Sequence, residues 1–267
     1  MKNVAARFVL GLLIAQGLVW GDETTGPIVE NISQQAQQNL ILGRSYGYYQ
    51  DVIISKLNEE GNITKQEKRT YQTTWLMDQP YNELLQISDR ELNSKEKMAE
   101  SKRRIDFLKA TYTKSKPSGI RQELKTISWW SIHERYDFRL LPSEPGYEYV
   151  LSFQPKSGKL PERSRLDRVL NHLAGTVWAD ADFNVRKAEA RLTNPVRFGL
   201  GILAKVDEIQ VRYLQRRHGQ AWLPASLHLL WSANFGLFRH QREQWDVSWY
   251  DPYPQPRNIP VSTTLSK

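Results

Sequence analysis

Apolar and polar residues alternate along residues 175–231, and this alternation is the clearest structural signal in the chain. Thr176–Asp180 leads into a turn at Asp180–Asp182, and Val185–Leu192 runs back from that turn. Alternation with a period of two indicates β-strands with one buried face and one solvated face. Successive antiparallel hairpins of this kind predict a curved sheet or a barrel.

Two more strands are predicted in the same stretch. Val206–Leu214 places Ile209, Val211 and Tyr213 on one face, and polar residues occupy the other face. A turn at 218–220 separates this strand from the next one. The apolar face of that next strand carries Leu223, Ala225, Leu227, Leu229 and Trp231.

Weaker patterns predict the remaining strands. Tyr46–Leu57 and Ile63–Met77 are predicted to form a hairpin around a Gly-containing turn. Gly146–Gln154 and Leu237–Tyr250 are predicted as single strands, the latter being the last in the chain. Four prolines follow, and we expect them to prevent regular structure in a C-terminal tail over 252–267.

Helical patterns occur between the strands. Pro27–Leu42 is predicted to be a helix because its apolar residues recur every four positions. Asn93–Lys114 is predicted as a charged helix, with Asn93 as its cap. Ile120–Ile132 and Arg165–Leu173 predict two further helical segments. A thin apolar stripe along the charged helix is formed by Met98, Ile105, Leu108 and Tyr112. Two interpretations of this helix stay open: a solvated helix on the sheet, or a basic lid that touches lipid headgroups or a partner.

Four short segments follow one another along the chain: Pro80–Leu85 (with Leu92 before the charged helix), Tyr136–Leu141, Gly175–Asp180 and Gly219–Pro224. In this order they resemble the periplasmic LolA/LolB-like lipoprotein-carrier superfamily, and in particular its outer-membrane lipoprotein-sorting subgroup. The resemblance implies an α+β fold: a strongly curved antiparallel sheet, or open incomplete barrel, with two or three covering helices. It also implies a carrier that shelters the acyl chains of a lipid or lipoprotein.

The N-terminus is typical of an export signal. Lys2 and Arg7 precede an apolar run over Phe8–Trp20, and Gly21 offers a cleavage site. We therefore expect a signal over 1–21, a single domain over 22–251, and a periplasmic protein. An uncleaved anchor is the alternative. The chain has no cysteine, which excludes disulfides, thiol catalysis and an N-terminal lipid on cysteine.

The net charge of +8 suits acidic lipid headgroups or an acidic envelope partner. No motif for nucleic-acid binding accompanies this charge, so nucleic acid is a poor candidate partner. The hydrophobic content of 40% supports a folded core. We expect a monomer.

Catalytic motifs are absent or misplaced in the sequence. The five histidines show no metal-binding spacing, and no Gly-x-Ser-x-Gly motif occurs. Ser94 with Lys97, Ser232 with Asn234, and 156–158 mimic a penicillin-binding set, but in the wrong order. Asp180 and Asp182 fit a turn better than an acid–base pair. We therefore expect no enzymatic activity and no cofactor.

The sequence predicts a lipid or lipoprotein carrier. The alternative is a periplasmic sensor on the same fold, whose bound lipid changes its affinity for a protein partner. The expected ligand-binding residues are Trp178, Leu227, Leu229 and Trp231. Two interpretations of these four residues stay open: they line an apolar cavity, or they belong to a closed core filled by side chains.

Overall fold

The computed structural model describes residues 25–77, 79–113, 135–199, 204–236 and 239–255. The predicted signal, the predicted helix over 120–132 and the tail beyond 255 lie outside these residues. The described part contains three helices: α1 (Thr25–Gly43), α2 (Ser94–Thr113) and α3 (Arg165–Leu170). Its strands are β1 (Tyr46–Leu57), β2 (Ile63–Leu76), β3 (Gln79–Ile87), β4 (Arg90–Glu91), β5 (Tyr136–Leu141), β6 (Tyr149–Pro155), β7 (Leu173–Ala179), β8 (Val185–Leu192), β9 (Val196–Phe198), β10 (Ala204–His218), β11 (Ala221–Phe235) and β12 (Arg239–Pro254).

All twelve strands belong to one antiparallel sheet, in the order β4-β3-β2-β1-β12-β11-β10-β8-β7-β6-β5, with β9 paired to β10. The sheet is curled but not closed. The predicted α+β class with an open, curled antiparallel sheet is therefore confirmed at this level. The chain joins its first and last long strands side by side, because β1 pairs with β12 over most of its length.

The two faces of the sheet follow from its register, since directly opposed residues of antiparallel strands point to the same side. Val52 lies opposite Val247, which lies opposite Leu227, which lies opposite Tyr213. The same register continues from Tyr213 through β8, β7 and β6 to Leu151. We call the face that carries these residues the inner face and the opposite side the outer face.

Both hydrophobic clusters of the described residues lie on the inner face. The larger one packs residues of β1, β10, β11 and β12 against Val169 and Leu170 of α3. The smaller one packs Val29 and Ile32 of α1 against Leu151 of β6. The outer face is polar and carries cross-strand ion pairs. These are Lys68–Asp51, Arg212–Glu189 and Arg242–Glu208, and the His228 ring is hydrogen-bonded to Asp246 on the same face.

A buried ion pair fixes α3 to the sheet. Arg135 is fully buried, and its Nη2 lies 2.6 Å from Oδ1 of Asp167. Asp167 also accepts from the backbone of Arg163, and Ser164 caps the helix. Tyr136 donates its hydroxyl proton to the carbonyl of Leu170 at 2.6 Å. Both ends of this short helix are therefore held by side chains whose polar groups have partners, as buried charge requires.

Gly175 in β7 is required by close approach. A Cβ at this position would lie 1.9 Å from the Glu189 carbonyl oxygen and 2.8 Å from the ring of Phe153. Phe153 lies directly opposite Gly175, so its ring covers the glycine across the strand pair. Gly175 therefore allows the close packing of β7 against its neighbouring strands.

Most predicted elements are confirmed within a few residues, including the helix over Asn93–Lys114 and the hairpin of β1 and β2. The prediction that Pro252 and Pro254 prevent regular structure was wrong, because β12 continues through both. Pro252 falls in a bulge of the pairing with β1, and beyond Ser248 no residue of β12 pairs with β11. Pro252 is tolerated in the bulge because the ladder needs no backbone N–H donor at that position.

Candidate functional site

Three of the four predicted ligand-binding residues come together on the inner face. Leu227 and Leu229 are 4% and 3% exposed, and Trp231 packs against the same cluster while remaining partly exposed. Leu227 lies opposite Val247, and Leu229 lies opposite Trp245. At the two leucines the structure therefore shows side-chain packing against neighbouring strands. That they bind an acyl chain stays a prediction.

Trp178 lies on the other face, which corrects its grouping with the other three. It is opposed to Lys187, which is opposed to Leu214, which is opposed to Ser226, and all four share the outer face. The Lys187 ammonium lies 4.0 Å from the centre of the Trp178 ring. Trp178 is only 8% exposed despite this placement. The cation–π contact holds the ring on this face, and the indole Nε1 of Trp178 is buried without a hydrogen-bond partner among the described residues.

Buried aromatic side chains surround the two leucines on the inner face. Tyr48, Tyr213, Trp245 and Trp249 all belong to the larger cluster. Burial raises the pKa of Tyr213 to about 12 and also raises the pKa of Tyr48. Burial is the main cause of both shifts, because desolvation penalises the charged phenolate.

The inner face becomes more polar at its Trp231 end. Trp231 lies opposite Glu243, which is 7% exposed. Glu243 accepts from Trp245 Nε1 at 3.1 Å and from Gln241 Nε2 at 2.7 Å. The indole Nε1 of Trp231 is buried and has no hydrogen-bond partner among the described residues. Partly exposed apolar residues border this end: Ile54, Val206, Val211, Leu192 and Phe198.

Glu243 was missed at the sequence level, although a signal for it exists. It precedes Trp245, Val247 and Trp249 by steps of two residues, so alternation puts its carboxylate on the apolar face. A charged residue in phase with a buried row is unusual, and it marks the place where the inner face stops being purely apolar.

A polar network positions α1 across the sheet. Asp180 Oδ1 accepts from the backbone nitrogens of Asp182 and Asn184, which confirms that this segment is a turn. The Asn184 side chain accepts from Asn39 Nδ2 at 2.8 Å, and Asn39 accepts from the backbone of Trp222. Asn39 is 4% exposed, so this link between helix, turn and β11 is buried.

A cleft of about 640 Å³ lies between α2 and the edge formed by β3 and β4. Its lining is mixed, with Leu84, Leu92 and Ile105 beside several charged side chains. Tyr81 donates to Glu100 at 2.6 Å, and Arg103 pairs with the same carboxylate. Arg103 also donates to the carbonyl of Asn82 in β3. The helix thus satisfies backbone groups of an edge strand, a common way to protect such an edge.

Electrostatics hold α2 in this position. Burial works to raise the pKa of Glu100, but hydrogen bonds from Arg103 and Tyr81 outweigh it and lower that pKa. Hydrogen bonds from Arg90 lower the pKa of Glu96 to about 2. Both carboxylates are therefore ionised near neutral pH.

The residues of the misordered penicillin-binding set lie on separate elements. Ser94 begins α2, Ser232 lies on β11, and Lys156 follows β6, and none of these elements are neighbours in the sheet. Asn234 donates to Asp207. Within the described residues, no group of three or more His, Cys, Asp or Glu side chains is placed to hold a metal ion.

No protein-family model and no curated protein matches this sequence. Among the described helices, none is long and apolar enough to cross a bilayer. The protein is therefore defined by its fold: a curled, open antiparallel sheet with an apolar inner face on which helices pack.

Proposed function

We propose that this protein binds acyl chains of a lipid or lipoprotein on the inner face of its sheet and carries them within the cell envelope. The observation that supports the proposal is the Trp231 end of that face. There an apolar surface, continuous with the core, remains partly exposed on the central strands β10 and β11. An acyl chain that enters at this end would gain about 0.8 kcal/mol for each buried CH₂.

The polar groups at this end suit the head of such a ligand. The unpartnered Nε1 of Trp231 is a hydrogen-bond donor, and an ester or carboxyl oxygen can accept from it. Glu243 lies beside it and is already occupied by Trp245 and Gln241. The chain would therefore lie along the apolar rim with its carbonyl near Trp231. No bond-making residue is needed for this function.

Uptake of a fluorescent fatty acid tests the proposal. Trp231→Glu should weaken uptake at least tenfold, because it places a charge on the entry surface. Leu230→Glu is the matched control: Leu230 is the next residue and lies on the outer face opposite Gln244. It should leave uptake unchanged. Trp231→Phe, which keeps the ring but removes the N–H, should retain the fold and reduce affinity less.

Thermal melts of the three variants separate a lost site from a lost fold. The proposal fails if the wild-type chain takes up no fatty acid, or if folded Trp231→Glu takes it up as well as Leu230→Glu does.

A further inference from the structure

The outward side of α2 carries an unusual combination of exposed apolar and basic residues. Met98, Ile105 and Tyr112 are 74%, 51% and 79% exposed, and Leu108 beside them is 36% exposed. The first three are spaced seven residues apart, so they form one row along the helix. The apolar stripe of a surface helix typically faces the core. Here Met98 and Tyr112 point away from the sheet, and Ile105 borders the cleft beside α2 while remaining half exposed.

The reason is that a different row of α2 contacts the sheet. Glu100 and Arg103 bind Tyr81 and the backbone of β3, and the Phe107 ring lies 4.9 Å from the Tyr81 ring. Glu96 is bound to Arg90 at the start of the helix. These contacts fix the rotation of α2 about its axis. The apolar row is therefore held in an outward position.

Lysines flank this row in register with it. Lys95, Lys102 and Lys109 each precede a residue of the apolar row by three positions, so they form a parallel row beside it, and all three are exposed. The helix carries six basic and three acidic residues. Two of those acids, Glu96 and Glu100, are engaged with arginines on the sheet side. The outward side keeps one acid, Asp106, and is strongly positive.

We propose that this side of α2 is a docking surface for an anionic lipid bilayer. The helix would lie in the plane of the interface, as its length of about 30 Å allows. Met98, Ile105 and Tyr112 would enter the boundary between headgroups and acyl chains, and the lysines would extend to the lipid phosphates. The row is thin, so attachment is reversible and depends on charge.

A vesicle-binding assay with the full chain tests this docking surface. The readout is the ratio of partitioning onto phosphatidylglycerol vesicles to partitioning onto phosphatidylcholine vesicles. The N-terminal apolar run contributes equally in every variant and cancels from comparisons between them. The triple change Lys95→Gln, Lys102→Gln and Lys109→Gln should lower the ratio roughly a hundredfold. The matched control removes the same charge elsewhere, with Lys65→Gln, Lys159→Gln and Arg216→Gln, and should lower it much less.

A second triple variant tests the apolar row. Met98→Ser, Ile105→Ser and Tyr112→Ser should reduce binding to phosphatidylglycerol roughly tenfold or more, because the inserted surface is removed. These positions are exposed, so the thermal melt should stay unchanged. The proposal is overturned if the α2 lysine variant keeps the full ratio, or if the wild type shows no preference for the anionic vesicles. Either result would exclude an anionic bilayer as the surface that this row contacts.

This docking surface does not depend on acyl-chain binding by the inner face. Vesicle binding and fatty-acid uptake are separate assays, and the variants of one leave the residues of the other untouched. A protein that docks without uptake, or takes up lipid without docking, would therefore separate the two proposals.

Discussion

The inner-face core and the α2 edge are held to the same sheet by different forces. In the core, Val52, Leu229 and Val247 are buried against residues from neighbouring strands and α3. At the edge, α2 is joined to β3 mainly by Tyr81, Glu100 and Arg103. Apolar burial involves no titrating group, whereas an attachment through carboxylates and guanidinium groups depends on pH and is screened by salt.

The core and the α2 edge therefore contribute differently to the stability of the fold. The core determines whether the sheet forms at all, because its strands come from both ends of the described chain. The helix at the edge contributes less to folding and leaves its own apolar row exposed. Damage in the core should therefore unfold the protein, while damage at the edge should release one helix and leave the sheet intact.

The largest effect is expected for Leu229→Glu. The side chain is 3% exposed among apolar neighbours, and an unpaired buried carboxylate costs several kcal/mol. The variant should lose its cooperative thermal transition. Leu108→Glu on α2 is the matched change at the edge and should melt like the wild type. A cooperative wild-type-like melt for Leu229→Glu would show that the inner face contains accessible space at this position.

The next effect concerns the buried ion pair that holds α3. Asp167→Ala leaves the fully buried Arg135 without its carboxylate, and breaking such a pair costs about 3–5 kcal/mol. Urea denaturation should show this loss as a lower midpoint. Asp182→Ala, in an exposed turn, should change the unfolding free energy by less than about 0.5 kcal/mol. Equal effects of the two changes would contradict the role assigned to Arg135.

A smaller effect is expected at the edge. Glu100→Gln weakens the hydrogen bonds to Tyr81 and Arg103 and should cost about 1–2 kcal/mol of α2 attachment. Hydrogen exchange should report faster exchange in α2 and unchanged protection in β10–β12. Asp106→Asn on the outward side is the control and should alter neither. Uniform loss of protection across the sheet would show that α2 is coupled to the core.

The smallest effect is a dependence of α2 attachment on pH. The pKa values of Glu96 and Glu100 are lowered from 4.5 in the folded protein. A lowered pKa means that these carboxylates stabilise the folded state above about pH 4.5, and that this contribution is lost as pH falls toward 2. Protection factors of α2 amides should therefore decrease over that range before those of β11. The double variant Glu96→Gln, Glu100→Gln should lose this pH dependence, so that protection of α2 no longer falls before that of β11.

The strands could be predicted because their alternation is a local property. β8 was predicted with its observed bounds, and Ile209, Val211 and Tyr213 share a face as expected. The helix over Asn93–Lys114 was predictable for a similar reason: its cap and its charges are adjacent in sequence, and Asn93 does accept from the backbone of Glu96. Glu243 could have been placed on the inner face by the same alternation.

The sequence did not determine which face each strand turns inward, or which side of α2 meets the sheet. Trp178 was expected inside because it lies on an alternating strand in the section that resembles the carrier family, yet Leu173, Val177 and Ala179 occupy the inner positions of β7 and leave Trp178 outside. A β-bulge between Trp178 and Ala179 also shifts the register at this point, so alternation alone does not assign a face to Trp178. Register is set by pairing between distant strands, so it appears only when the sheet assembles.

The amino-acid sequence by itself determined the strands, the charged helix and the absence of cysteine chemistry, since each depends on neighbouring residues or on composition. Tertiary structure alone decided that the face of Leu227, Leu229 and Trp231 turns inward while Trp178 turns outward, that Arg135 is buried with Asp167, and that the apolar row of α2 is left exposed. These features depend on contacts between residues far apart in the chain, and no local preference specifies them.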